Sequence, residues 1–235
     1  MLSAGERPQP PMPNNAAMMN SASPTTTTTS ASLNAASTMY PDHPKEPTQH
    51  IWVVTGPAGC GKSTVGKGLA NELHYPFLEG DDFHSASNKQ KMGSGIPLTD
   101  ADRWDWLIAL REAATRALSP SQANNFHPPA GVVVACSALK QKYRDVMRIA
   151  TYNSPSVQIH FVYLKLDEEV LLRRVAQRQA HYMKSVMVQS QLRDLEEPKG
   201  EWDALTIDAN APPAQVQTEV LQLVKEKLAE YKQQP

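Results

Sequence analysis

From residue 50 onward the chain carries five short apolar runs, at 50–55, 75–79, 131–136, 157–166 and 204–207, with helical patterns between them. The third, Gly131-Val132-Val133-Val134-Ala135-Cys136, is apolar throughout, as expected of a central parallel strand covered on both faces. Thr64 to Leu73 reads as a helix. Thr99 followed by Asp102 resembles a capping box that opens a second helix through Trp104, Leu107, Ile108, Leu110 and Ala114. Asp167 can cap a third, through Val170, Leu171, Arg174 and Val175. A last helix, Ala214 to Tyr231, places Val216, Val220, Leu221, Leu223, Val224 and Leu228 on an amphipathic pattern. Strand–helix alternation predicts a five-stranded parallel sheet with helices on both faces, a three-layer α/β/α sandwich. Ligands then bind at the carboxyl ends of the strands.

The first strand runs into Gly56-Pro57-Ala58-Gly59-Cys60-Gly61-Lys62-Ser63, followed by Thr64. This is the G-x-x-x-x-G-K-[ST] phosphate loop, whose glycines let backbone N–H groups point at a polyphosphate. Lys62 then reaches the β- and γ-phosphates and the Ser63 hydroxyl ligates Mg²⁺. The loop predicts a P-loop NTPase fold that takes a nucleoside triphosphate.

The segment after each strand sharpens this reading. After the second come Asp81 and Asp82, either of which can hold a metal through water and accept a proton from an attacking hydroxyl. After the third come Cys136 and Ser137, with no acidic residue where a switch GTPase or motor ATPase keeps its metal-binding Asp. No Asn-Lys-x-Asp guanine signature occurs either. Lys140 and Arg144 lie four apart, so on a helix they share a face and suit an anionic substrate. After the fourth, Arg173, Arg174, Arg178, His181 and Lys184 read as a basic mobile lid over approximately 175–192. The stretch 89–103, with two glycines and a proline, reads as a functional loop. His84, His127 and His160 have no partners at zinc-ligand spacing.

Composition sets the boundaries. Residues 1–49 hold 8 of the 19 prolines and five consecutive threonines, and read as a disordered tail preceding a kinase domain over 50–235. Of the charged residues, that tail takes Arg7, Lys45, Glu6, Asp42 and Glu46, which leaves 21 basic against 21 acidic in the domain. A neutral domain argues against nucleic acid as a partner, and no apolar stretch is long enough to span a membrane. Two cysteines without metal spacing fit a reducing cytoplasm. On the residues alone, three classes stay open: a kinase of a small hydroxylated anion such as shikimate, a non-catalytic nucleotide-binding regulator, and, least favoured, an RNA-end or nucleotide kinase.

Taken together, the segments resemble the gluconokinase family. The matching residues are 56–63, Gly80-Asp81-Asp82-Phe83-His84, Asn88, Lys91-Met92, Gly95-Ile96-Pro97-Leu98, Asp102-Arg103, Trp106-Leu107, Cys136-Ser137-Ala138-Leu139-Lys140, Tyr143-Arg144, Arg174, Arg178, His181, Lys184 and Glu197-Pro198. The resemblance covers roughly residues 50–230. It implies a shikimate-kinase-like fold and ATP-dependent, Mg²⁺-assisted phosphorylation of D-gluconate at its 6-hydroxyl, feeding carbohydrate-acid catabolism and the pentose phosphate pathway. It implies a homodimer as well. By residue, it implies Asp81 as base and metal-shell carboxylate. His84, Arg103, Lys140, Arg144, His181 and Lys184 become candidates for holding gluconate or the transferring phosphate. Arg174 and Arg178 fall in the lid, where they neutralise developing charge with Lys62.

Overall fold

Alternate residues of the central strands bury against different helices, which is what makes the sheet the middle layer. The computed structural model describes residues 47–152, 154–177 and 185–233. Strands β1 (Gln49–Thr55), β2 (Phe77–Glu79), β3 (Gly131–Ala135), β4 (Val157–Lys165) and β5 (Ala204–Asp208) lie in the order β2-β3-β1-β4-β5. Every pairing is parallel. The helices are α1 (Lys62–Leu73), α2 (Ala86–Gly93), α3 (Trp104–Ala117), α4 (Gln141–Arg148), α5 (Glu168–Gln177), α6 (Ser185–Asp194) and α7 (Pro213–Lys232).

Ile51, Val53, Val132, Val134, Ile159 and Phe161 pack with Trp106, Leu107 and Leu110 of α3 and with Tyr143 and Met147 of α4. Their sequence neighbours Trp52, Val54, Val133, Val162 and Leu164 face the opposite layer. There they meet Val65 and Leu69 of α1, Leu171 of α5, Val188 of α6, and Val216, Val220 and Val224 of α7. The period-2 alternation of β1, β3 and β4 thus serves two cores at once, and all eleven of these strand side chains are essentially inaccessible.

One polar pair sits inside the second layer. His50 Nδ1 and His160 Nε2 are 3.1 Å apart, His160 stacks on Trp52 at 4.2 Å, and Tyr231 of α7 closes the cluster edge-on. Burial pushes both imidazoles down from their ordinary 6.5, to about 4 for His50 and about 3 for His160.

Local chemistry differs from the expected pattern in two places. Thr99 and Asp102 do bond, with the Asp102 carboxylate accepting from Thr99 N–H at 3.0 Å and Oγ1 at 2.9 Å, but they close a turn. The helix starts later, at Trp104, with Arg103 at its N-cap and no side-chain cap. The stretch 89–103 is not loop throughout. Ser85 accepts from Asn88 N–H and caps α2, whose buried Asn88 and Met92 face inward, and irregular backbone begins only after Gly93. Most of the proposed tail, residues 1–46, lies outside the described residues, and β1 already begins at Gln49. No described helix is long and apolar enough to cross a membrane.

Candidate active site

The carboxyl ends of β1, β2 and β3 open onto one cavity. Its floor is the phosphate loop. Gly59 has φ +90°, and a Cβ there would come within 2.5 Å of Val175 Cγ2, so the loop can pass this point only as glycine. Gly61, at φ +108°, has open space where a Cβ would stand. It is also the N-cap of α1, which no side chain caps and which has no acidic residue in its first turn. An uncapped, positive helix end over a concavity fits a phosphate group. Lys62 donates from Nζ to the Pro57 carbonyl at 3.0 Å, and Ser63 and Thr64 line the same cavity.

The opposite wall comes from the segment after β2. Gly80–Phe83 form a 3-10 turn in which Asp81 faces the cavity, whereas Asp82 does not line it. His84 and Arg103 complete this wall and are 7% and 5% exposed. Among the described residues, His84 Nδ1 and Arg103 Nε have no hydrogen-bond partner, although both are buried. Such orphans are costly and mark a place where a polar ligand completes the set. Burial first, then the charges of Arg103 and Lys89, hold His84 at about 4 against an opposing pull from Asp81. The imidazole is therefore neutral near pH 7. Met92 and Leu98 form a small apolar cluster beside them.

Asp102 shapes this wall from behind. It pairs with Lys91 at 2.6 Å, and its backbone carbonyl accepts from Asn88 Nδ2 at 2.6 Å. The Lys91 bond, then the two from Thr99, bring its carboxyl down to about 2.

The chain's likeness to known proteins is extensive. A family model described as an AAA domain matches residues 51–198. The chain is 39% identical over 198 residues to a probable gluconokinase of Schizosaccharomyces pombe, covering 83% of this chain and 99% of that one. It is 37% identical to the thermoresistant gluconokinase of Escherichia coli, over 75% and 94% of the two chains. The chain belongs to the gluconokinase family. The crystal structure of a gluconokinase from Sinorhizobium meliloti 1021 superimposes with a TM-score of 0.66 at 39% identity, over 81% of this chain and all of that one. A shikimate kinase from Aquifex aeolicus, at 15% identity and TM-score 0.51, shares the fold alone.

In this gluconokinase-family chain a second cavity adjoins the first across the phosphate loop, lined by Gly59, Cys60, Gly61, Thr64, Val65, Arg174, Gln177, Pro213 and Val216. Arg174 donates to the carbonyls of Ala211 at 3.0 Å and Asn210 at 3.4 Å. Arg178, His181 and Lys184, with the centre of the expected lid, lie outside the described residues.

Lys140 and Arg144 do not share a helix face and do not line either cavity. Lys140 precedes α4 and pairs with both Asp100 and Asp194 at 3.1 Å. Burial pulls its pKa down, but those two carboxylates outweigh it and hold the ammonium charged. Arg144 points into the protein, where it is 1% exposed. Its guanidinium grips Glu201 at 2.5 Å and donates to the carbonyls of Ala138 and Leu139 at 3.0 Å. Spacing of four promised a shared face, but it carried no information about Glu201, 57 residues further on.

Five cavity residues were given no site role from the sequence: Glu79, Met92, Leu98, Ser137 and Gln191. Gln191 left no readable signal, because its place beside the phosphate loop depends on how α6 packs.

Proposed function

We propose that this chain transfers the γ-phosphate of ATP to the 6-hydroxyl of D-gluconate, giving 6-phospho-D-gluconate and ADP. The observation that carries the reading is one cavity with two unlike walls. A phosphate-binding loop stands on one side, and Asp81, His84 and Arg103 stand on the other, the last two with buried nitrogens that lack partners among the described residues. Family membership supplies the acceptor's identity.

The triphosphate lies over the open side of Gly61, and the second cavity beside Arg174 takes the nucleoside. Lys62 leaves the Pro57 carbonyl for the phosphates. Asp81 accepts the proton as the hydroxyl oxygen bonds to phosphorus and the bond to ADP breaks. Arg103 suits the gluconate carboxylate, and neutral His84 suits a hydroxyl. Arg178, with Lys62, neutralises charge on the transferring group, and His181 and Lys184 belong to the same basic segment. The Ser63 hydroxyl and the Asp81 carboxylate line one cavity as hard oxygen donors and fit Mg²⁺, which when bound neutralises phosphate charge. A homodimer in the cytoplasm is the setting we infer, with residues 1–46 an extension the chemistry does not need. Cys60 and Cys136 are free and buried, which suits a reducing compartment. ADP release on addition of D-gluconate tests the reading.

A further inference from the structure

Gln191 is 8% exposed and lies in the same cavity as Lys62, Ser63 and Asp81. Its Oε1 accepts from the Ala58 N–H of the phosphate loop at 2.6 Å. Because a backbone N–H can only donate, this bond fixes the amide's orientation: oxygen on the loop, nitrogen away from it. Nε2 then has no partner among the described residues. With Oε1 committed to the loop and Gln191 lining the cavity, both N–H groups of Nε2 remain available for an acceptor that enters there.

The helix that presents it falls largely within the 175–192 stretch read as a mobile lid, but it is packed on the domain instead. Val188, one turn earlier, is fully buried in the core. Asp194, one turn later, pairs with Lys140, and Glu196 N–H donates to the Leu139 carbonyl at 3.0 Å. Gln191 is thus a preorganised donor beside the lysine and serine that receive phosphate, and the group entering there is rich in acceptor oxygens.

We propose that Gln191 is a further catalytic residue, held through Oε1 by Ala58 and donating from Nε2 to the γ-phosphoryl group. This rests on the cavity's being the ATP site and not on gluconate's being the acceptor. The consequence is selectivity: Gln191 touches a group that ATP has and ADP lacks.

Calorimetric titration of the full chain with ADP and with β,γ-imido-ATP, both with Mg²⁺, reads this directly. Gln191→Glu keeps an oxygen for Ala58 but loses the donor, and Gln191→Met is a neutral variant of similar length with neither group. In both, the triphosphate analogue should weaken roughly 10- to 100-fold more than ADP, as expected for loss of a hydrogen bond to a charged group. With gluconate, kcat should fall by a similar factor while the KM for gluconate stays within about twofold. Equal weakening of both nucleotides in Gln191→Met, or of neither, would overturn the proposal. If Gln191→Glu does not fold, the ratio from Gln191→Met decides alone. Should wild type fail to turn over gluconate, the binding ratio still stands, so the two failures are separable.

Discussion

His84 lies flat against Trp106, with ring centroids 4.3 Å apart and planes 14° from parallel. The same indole donates from Nε1 to the Gly80 carbonyl at 2.7 Å. One side chain of α3 therefore fixes both ends of the turn that carries Asp81. Trp106→Phe keeps a stacking partner for His84 but removes the indole bond to the Gly80 carbonyl, which keeps only its own 3-10 turn. It should cost about 0.5–1.5 kcal/mol of stability, the net range for one hydrogen bond. Turnover should fall more than affinity for gluconate changes, because the base is displaced while His84 and Arg103 remain. Thermal melts with steady-state kinetics check this, and an unchanged kcat would separate the turn's geometry from the chemistry.

Asp81 lines the cavity and Asp82 does not. Asp81→Asn should lower kcat by at least about a hundredfold, the lower range for losing a general base. Asp82→Asn should stay within a few-fold of wild type. Single-turnover rates of the two variants decide between the adjacent carboxylates, and a reversed ranking would transfer the role to Asp82.

Arg144 is committed to structure. Glu201→Gln leaves its buried charge unbalanced and should destabilise the fold by about 3–5 kcal/mol, as for other broken buried pairs. At roughly 2–4 °C per kcal/mol for a domain of this size, the melting temperature should drop by about 10 °C. The KM for gluconate should change little at temperatures where the variant is folded. A large rise in KM with no loss of stability would return Arg144 to the substrate site.

Acid should unfold this protein through its buried histidines. His50 and His84 fall to about 4 and His160 to about 3, so the folded state binds fewer protons than the unfolded state at mildly acidic pH. Stability is complete above about pH 6.5 and is lost as pH falls toward 4, by up to about 1.4 kcal/mol per pH unit for each group. Replacing both His50 and His160 with Leu removes the hydrogen-bonded pair together, which should be nearly neutral at pH 7. Above about pH 5, before the ion-paired carboxylates such as Asp102 and Glu201 begin to contribute, the acid slope should shrink to the His84 contribution. Denaturant melts from pH 4 to 7 measure it, and an undiminished slope would place the acid sensitivity elsewhere.

Sheet and phosphate loop were legible because both are local patterns. Five apolar runs became five strands, with β1 and β3 matching their runs to within a residue. Gly56 to Ser63 needed no distant partner to be read. What failed was long-range pairing. Asp102 turns back to Thr99 and Lys91, which delays α3 to Trp104, and Ser85 starts a helix where glycines and a proline suggested a loop. Lys140 and Arg144 satisfied a helical spacing, yet Asp194 and Glu201 claimed them. Gln191 became visible only once α6 was laid against Ala58, 133 positions away.

The central claim is the reaction itself. The most direct measurement is ADP release from MgATP by the full chain, comparing D-gluconate with shikimate, glycerate and nucleoside monophosphates, with the phosphorylated carbon located by ³¹P–¹H correlation. The account predicts saturable turnover with D-gluconate far above the no-acceptor background, weak or no turnover with the others, and phosphate on the 6-oxygen. ADP release that D-gluconate does not stimulate, or that another acceptor stimulates more strongly, would contradict it.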